Sequence, residues 1–77
     1  MPTILRWKGY RFYFYSNEGS EPPHIHVSKD RCEAKFWLSD TTLAYNDDFK
    51  DNEIRKLQDI VAQEKLRFLE AWHEHFE

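Results

Sequence analysis

Cysteine and glycine are nearly missing from this chain. A single cysteine, Cys32, among 77 residues excludes an intramolecular disulfide and an all-cysteine metal site. Two glycines and three prolines leave no Gly/Ser-rich or Pro-rich linker that would divide the chain. The length is that of one domain, so residues 1–77 are expected to form a single α+β unit. No apolar run approaches the roughly 20 residues of a membrane-spanning helix. No charged-then-apolar segment of the secretory type opens the chain either. A reducing, cytoplasmic location and no membrane partner are the resulting expectation. Basic excess is also lacking: the net charge of −3 argues mildly against general nucleic-acid binding. Nothing in the sequence asks for a cofactor.

What is present is aromatic. Three Trp, four Tyr and six Phe give a short chain large apolar areas to bury, which matters because a domain of this size hides only about 60–65% of its unfolded surface. Charge is divided along the chain. Residues 1–38 carry six basic and four acidic groups, a balance of +2, whereas residues 39–77 carry five basic and ten acidic groups, a balance of −5. The excess in the second half is equally the ordinary solvation of helical faces.

The first half reads as β. Ile4–Trp7 is a short strand, Lys8-Gly9 a tight turn, and Tyr10–Tyr15 the strongest strand signal, with Tyr10, Phe12 and Phe14 on one face and Arg11, Tyr13 and Tyr15 on the other. Residues 16–23 form a loop, with Asn17 and Gly19 as turn formers and Pro22-Pro23 as a stiff lead-in to the next strand. His24–Ser28 and Arg31–Leu38 form a hairpin around Lys29-Asp30. Paired residue numbers summing to 59 set His26 opposite Glu33 and His24 opposite Lys35, with Ile25, Val27, Cys32, Ala34, Phe36 and Leu38 on the core face. Thr41–Tyr45 is a candidate edge strand. From about Asp51 the period changes: Ile54, Leu57, Val61, Phe68, Trp72 and Phe76 form a helical stripe, with Asp47, Asp48 and Asp51 as candidate N-caps and a kink or break at Gln63-Glu64-Lys65. The predicted architecture is an antiparallel sheet of about four strands laid on a C-terminal helix that is kinked or split in two.

The side away from that helix carries His24, His26, Glu33, Lys35 and Trp37. Two imidazoles at i and i+2 of a strand stand side by side. Three readings fit. The pair binds a metal with Glu33 as third ligand, a set short of the usual four; His73 and His75, two apart on a helix, point away from each other and do not chelate together. The pair is catalytic: His24 and His26 as acid and base, oriented by Glu33, with Lys29, Arg31 and Lys35 holding phosphate and Trp37 or Tyr15 stacking a base. That set suits metal-independent RNA cleavage by a 2′-hydroxyl. Or the groups are structural cross-strand pairs on a contact surface.

The segments Gly9–Gly19, Glu21-Pro22-Pro23-His24-Ile25-His26-Val27 and Ala34–Leu38, with the Ala71-Trp72-His73-Glu74 ending, resemble a small prokaryotic family known as domain of unknown function 4160. The resemblance implies a bacterial or archaeal source, a cytoplasmic location, a compact α+β fold and a place in a two-gene cassette, in the manner of toxin–antitoxin pairs. It therefore implies a small cognate protein encoded next door as partner. It carries over no catalytic residues; His24, His26, Lys35 and Trp37 are the matching signature positions. The leading expectation is a toxin-like ribonuclease of such a module. The alternatives are a non-enzymatic interaction module, the antitoxin or scaffold half, anchored by Tyr13, Tyr15 and Trp37, and a metal-binding domain. A homodimer is compatible with each.

Overall fold

The computed structural model describes residues 3–15 and 19–76; the predicted turn former Asn17 lies outside them. Five antiparallel strands run in chain order across one sheet: β1 (Thr3–Trp7), β2 (Tyr10–Tyr13), β3 (His24–Lys29), β4 (Cys32–Trp37) and β5 (Leu43–Asp47). Two helices follow, α1 (Asp51–Gln63) and α2 (Lys65–Phe76). The class is the α+β predicted from sequence, with a fifth strand and the helix divided in two.

Short turns dictate the meander. Lys8 and Gly9 both take positive φ (49° and 85°), the conformation that lets a two-residue loop follow the strand twist, so Trp7 and Tyr10 face each other. In the β3–β4 hairpin Lys29 pairs with Cys32, leaving Asp30-Arg31 as the loop. Partner numbers sum to 61, not 59. The expected register is therefore two residues out: His26 faces Lys35, His24 faces Trp37, and Glu33 faces Ser28. A shift of two keeps every side chain on its face, so both registers bury the same apolar set. Asp30 makes the choice by accepting φ 55°, a left-handed position that Asp tolerates better than most residues. The edge strand is also later than predicted, Leu43–Asp47 rather than Thr41–Tyr45, because Thr41 takes φ 58° and Asp40 Oδ1 accepts from the Thr42 N–H (3.1 Å) and hydroxyl (2.7 Å), making a turn where a strand was expected.

Alternation and helical period meet in one core. Phe12, Phe14, Ile25, Val27, Ala34, Phe36 and Leu38 from the sheet pack with Leu57, Val61, Phe68 and Trp72 from the helices. Phe12 stacks on Phe68 (5.6 Å) and Phe14 meets Trp72 edge-on (5.2 Å). Phe49, outside any periodic run, is also buried; Asn46 fixes its backbone by accepting its N–H (3.0 Å) and donating to its C=O (2.9 Å). None of the three expected aspartates caps α1. Lys50 is the N-cap, its N–H held by Glu53 (3.4 Å), and Asp51 is the first helical residue. The break falls at Glu64; one straight rod of 26 residues would be about 39 Å long, whereas the divided helices bring Phe68 and Trp72 back onto the sheet core.

Candidate functional site

The sheet face away from α1 carries a second cluster, made of polar and aromatic groups. Its central row crosses four strands: Tyr13 pairs with His26, His26 with Lys35, and Lys35 with Tyr45. Glu33 is the hub. Its Oε2 accepts hydrogen bonds from the hydroxyls of Tyr13 and Tyr15 (the latter 2.7 Å) and its Oε1 accepts from Tyr45 (2.7 Å). Burial on its own raises the Glu33 carboxyl, but the hydroxyls of Tyr13, Tyr45 and Tyr15, with His26 nearby, outweigh it and hold the group below its ordinary range. Burial first, then the bond to this carboxylate, pushes the Tyr13 and Tyr45 hydroxyls well above the ordinary tyrosine value. The cage is thus a charged acceptor surrounded by donors that keep their protons.

The imidazoles lie beneath this cage. His26 is 4% exposed and His24 0%. The His26 ring stacks on Tyr13 (5.4 Å, 24°), meets Tyr15 edge-on (4.6 Å) and places Nδ1 3.9 Å from Glu33 Oε2. His24 sits where the sheet ends. Its ring contacts Trp72 of α2 (4.8 Å), Trp37 (5.8 Å) and His26 (5.1 Å). Its Nδ1 donates to the Pro22 carbonyl (2.9 Å), which fixes the tautomer because a carbonyl only accepts. The expectation that both rings stand on a face the helix leaves uncovered is corrected for His24, which is closed in by a helical tryptophan. Alternation fixes a side chain's face; it does not reveal what arrives from elsewhere to cover it.

The expected binding set divides. Lys35 stays with the cluster, its ammonium 4.6 Å from the Trp37 ring centroid and 2.6 Å from Glu21. Lys29 does not join it. It shares the parity of Ile25 and Val27, and its ammonium lies over Tyr10 (4.6 Å) on the helix side. Arg31 is exposed at the hairpin tip. These two are thus not gathered with Lys35 into one phosphate cradle. Sequence reasoning also missed Tyr45 as a partner of Glu33; the pairing of β5 with β4, which sets Tyr45 opposite Lys35, follows from the Asp40–Thr42 turn, where a strand was expected. Arg11 closes the near end, its guanidinium 4.4 Å over Tyr13 and its Nε donating to Thr3 Oγ1 (2.7 Å). Among the described residues no three His, Cys, Asp or Glu side chains come together in a group able to hold a metal ion, and no helix is long and apolar enough to cross a membrane.

Fold and site together define a small α+β domain whose outer sheet face is closed by a histidine–tyrosine–glutamate cluster. Residues 9–73 match the family model of the domain of unknown function DUF4160, a span that includes every residue of that cluster, and the chain belongs to this family. Comparison with curated proteins and with solved structures finds no match.

Proposed function

We propose that this chain is a non-enzymatic protein-interaction module, one half of a prokaryotic two-gene pair, and that its outer sheet face is the contact surface. The observation that carries the reading is the burial of both imidazoles together with the saturation of Glu33 by three tyrosine hydroxyls. A general base must come within hydrogen-bond reach of the proton it removes. Rings exposed by 0% and 4% meet no substrate unless Tyr13, Tyr15 or Trp72 moves away. The same groups do something else well. They lock the rotamers of an aromatic surface, so that little side-chain entropy is left to lose on docking. The residues that remain accessible are those enriched in interfaces: Tyr45, 42% exposed, with half-buried Tyr15, Trp37 and Arg11. Arg6 and Arg11 face each other across β1 and β2, so an apolar partner surface with flanking carboxylates is the complement.

The rival is the toxin-like ribonuclease. It is favoured by the 3.9 Å approach of His26 to Glu33 and by Lys35 directly opposite His26. One experiment separates them. The chain is co-expressed with the product of the adjacent gene, complex formation is followed by size exclusion, and RNA integrity is followed in the same cells. The interaction reading expects a stable complex, weakened at least tenfold by Tyr45→Glu with Trp37→Ala, and intact RNA. RNA breakdown abolished by His26→Asn, or no complex at all, defeats it.

A further inference from the structure

At the opposite end of the strand from His24, the β1–β2 turn, the end of β3 and α1 border a cleft open to solvent, of about 470 Å³, lined by Trp7, Lys8, Tyr10, Lys29, Lys56, Asp59 and Ile60. Its size falls within the roughly 300–1,000 Å³ of small-molecule sites. Three separate elements each contribute one lysine to its lining. Lys8 stands over the Trp7 ring (5.2 Å) and Lys29 over Tyr10 (4.6 Å), while Trp7 and Tyr10 stack on each other (5.7 Å, 21°). Gly9 leaves room for Lys29: a Cβ there would sit 3.3 Å from Lys29 Cε, and the lysine would have to give by a few tenths of an ångström. Asp59 is in the wall; Glu53, beside it, already accepts from the Tyr10 hydroxyl (2.8 Å) and the Lys50 N–H (3.4 Å). Within the lining itself three lysines stand against one carboxylate, Asp59, in a molecule of net charge −3.

From this we infer that the cleft binds a phosphomonoester joined to a flat ring, of nucleoside monophosphate size. Three lysines in one lining suit a phosphate better than a carboxylate, since each contributes a point charge and up to three donors. Trp7 and Ile60 add apolar surface to the same lining. The same group occurs free or at the 5′ end of a nucleic-acid strand, and both supply the recognised chemistry. No part of this rests on the outer-face contact surface, which lies on the other side of the sheet.

The test is amide and indole NMR of the ¹⁵N-labelled chain, titrated separately with AMP, ribose 5-phosphate, and a short RNA with either a 5′-phosphate or a 5′-hydroxyl. Millimolar or tighter binding of AMP is expected, shifting Lys8, Gly9, Lys29, Lys56 and the Trp7 indole. Ribose 5-phosphate is expected to bind at least fivefold more weakly. A response to the RNA only with its 5′-phosphate identifies the strand end as a source; equal silence of both RNAs assigns the site to the free nucleotide. Lys29→Gln with Lys56→Gln weakens AMP at least tenfold. Lys56→Glu, on the exposed helix surface, is a second variant that leaves the hairpin untouched. An absence of AMP shifts at millimolar concentration, equal affinity for ribose 5-phosphate, or unchanged affinity in the folded variants overturns the inference.

Discussion

Removing the Glu33 carboxylate tests the cage most directly. In Glu33→Ala three hydroxyls lose their acceptor, but they do not lose equally. Tyr13 is 3% exposed, so its hydroxyl, left with only the long contact to the Tyr15 hydroxyl (3.4 Å), costs about 1–3 kcal/mol. Tyr15 is half-buried and Tyr45 well exposed, so both turn to solvent and each forfeits at most about 1 kcal/mol. The expected loss is therefore about 2–4 kcal/mol, a large share of the roughly 4–11 kcal/mol that a domain of this length holds. Thermal unfolding should fall by on the order of 10–25 °C. Urea unfolding followed by tryptophan fluorescence measures the free energy, and a double-mutant cycle with Tyr13→Phe isolates the pair. Tyr13→Phe alone should cost about 1–2 kcal/mol, yet be close to neutral once Glu33 is gone, because it then deletes a buried hydroxyl left with only its long contact to Tyr15. A loss under about 0.5 kcal/mol for Glu33→Ala, or strict additivity in the cycle, would refute the reasoning.

Further outcomes follow from the same geometry. Because the folded Glu33 carboxyl is held below its unfolded value, its contribution is complete above about pH 4.3 and is lost as the pH falls through the lower folded value; Glu33→Gln should flatten the acid limb of a stability–pH curve. At the alkaline end the sign reverses. Tyr13, Tyr45 and Tyr10 are raised, so their contribution is complete below about pH 10 and is lost as the pH climbs through the folded values; absorbance at the tyrosinate band should rise at higher pH in the native chain than in urea. Phe68→Ala, which removes the ring stacked on Phe12, should cost about 3–5 kcal/mol and leave much of the population unfolded by circular dichroism. Gly9→Ala places a Cβ at φ 85° and 3.3 Å from Lys29 and should lower stability by about 1–2 kcal/mol in urea melts.

Periodicity carried much of the fold. Alternation in Tyr10–Tyr15 and in the two strands after the Pro-Pro pair assigned faces that the structure keeps, and the 3.6-residue stripe from Ile54 to Phe76 located both helices and the break between them. Quantities that alternation leaves degenerate escaped it. Registers summing to 59 and 61 bury identical side chains, and only the left-handed φ of Asp30 distinguishes them. Phe49 lies in an aperiodic stretch, where no pattern marks it as core. At the site, the residues gathered around His26 were legible as neighbours, whereas their closure was not, because the lid groups Tyr13, Tyr15 and Trp72 come from positions far away in the chain. Lys29 is different: its parity with Ile25 and Val27 was readable and already separated it from Lys35.

Both rim strands carry one surplus residue, Ile4 in β1 and Ala44 in β5, where the ladder skips a pair. Such irregularities bend and twist an outer strand and spoil it as a template for further chains. A second copy offered to either border would meet a bent ladder, which disfavours side-by-side stacking into ribbons.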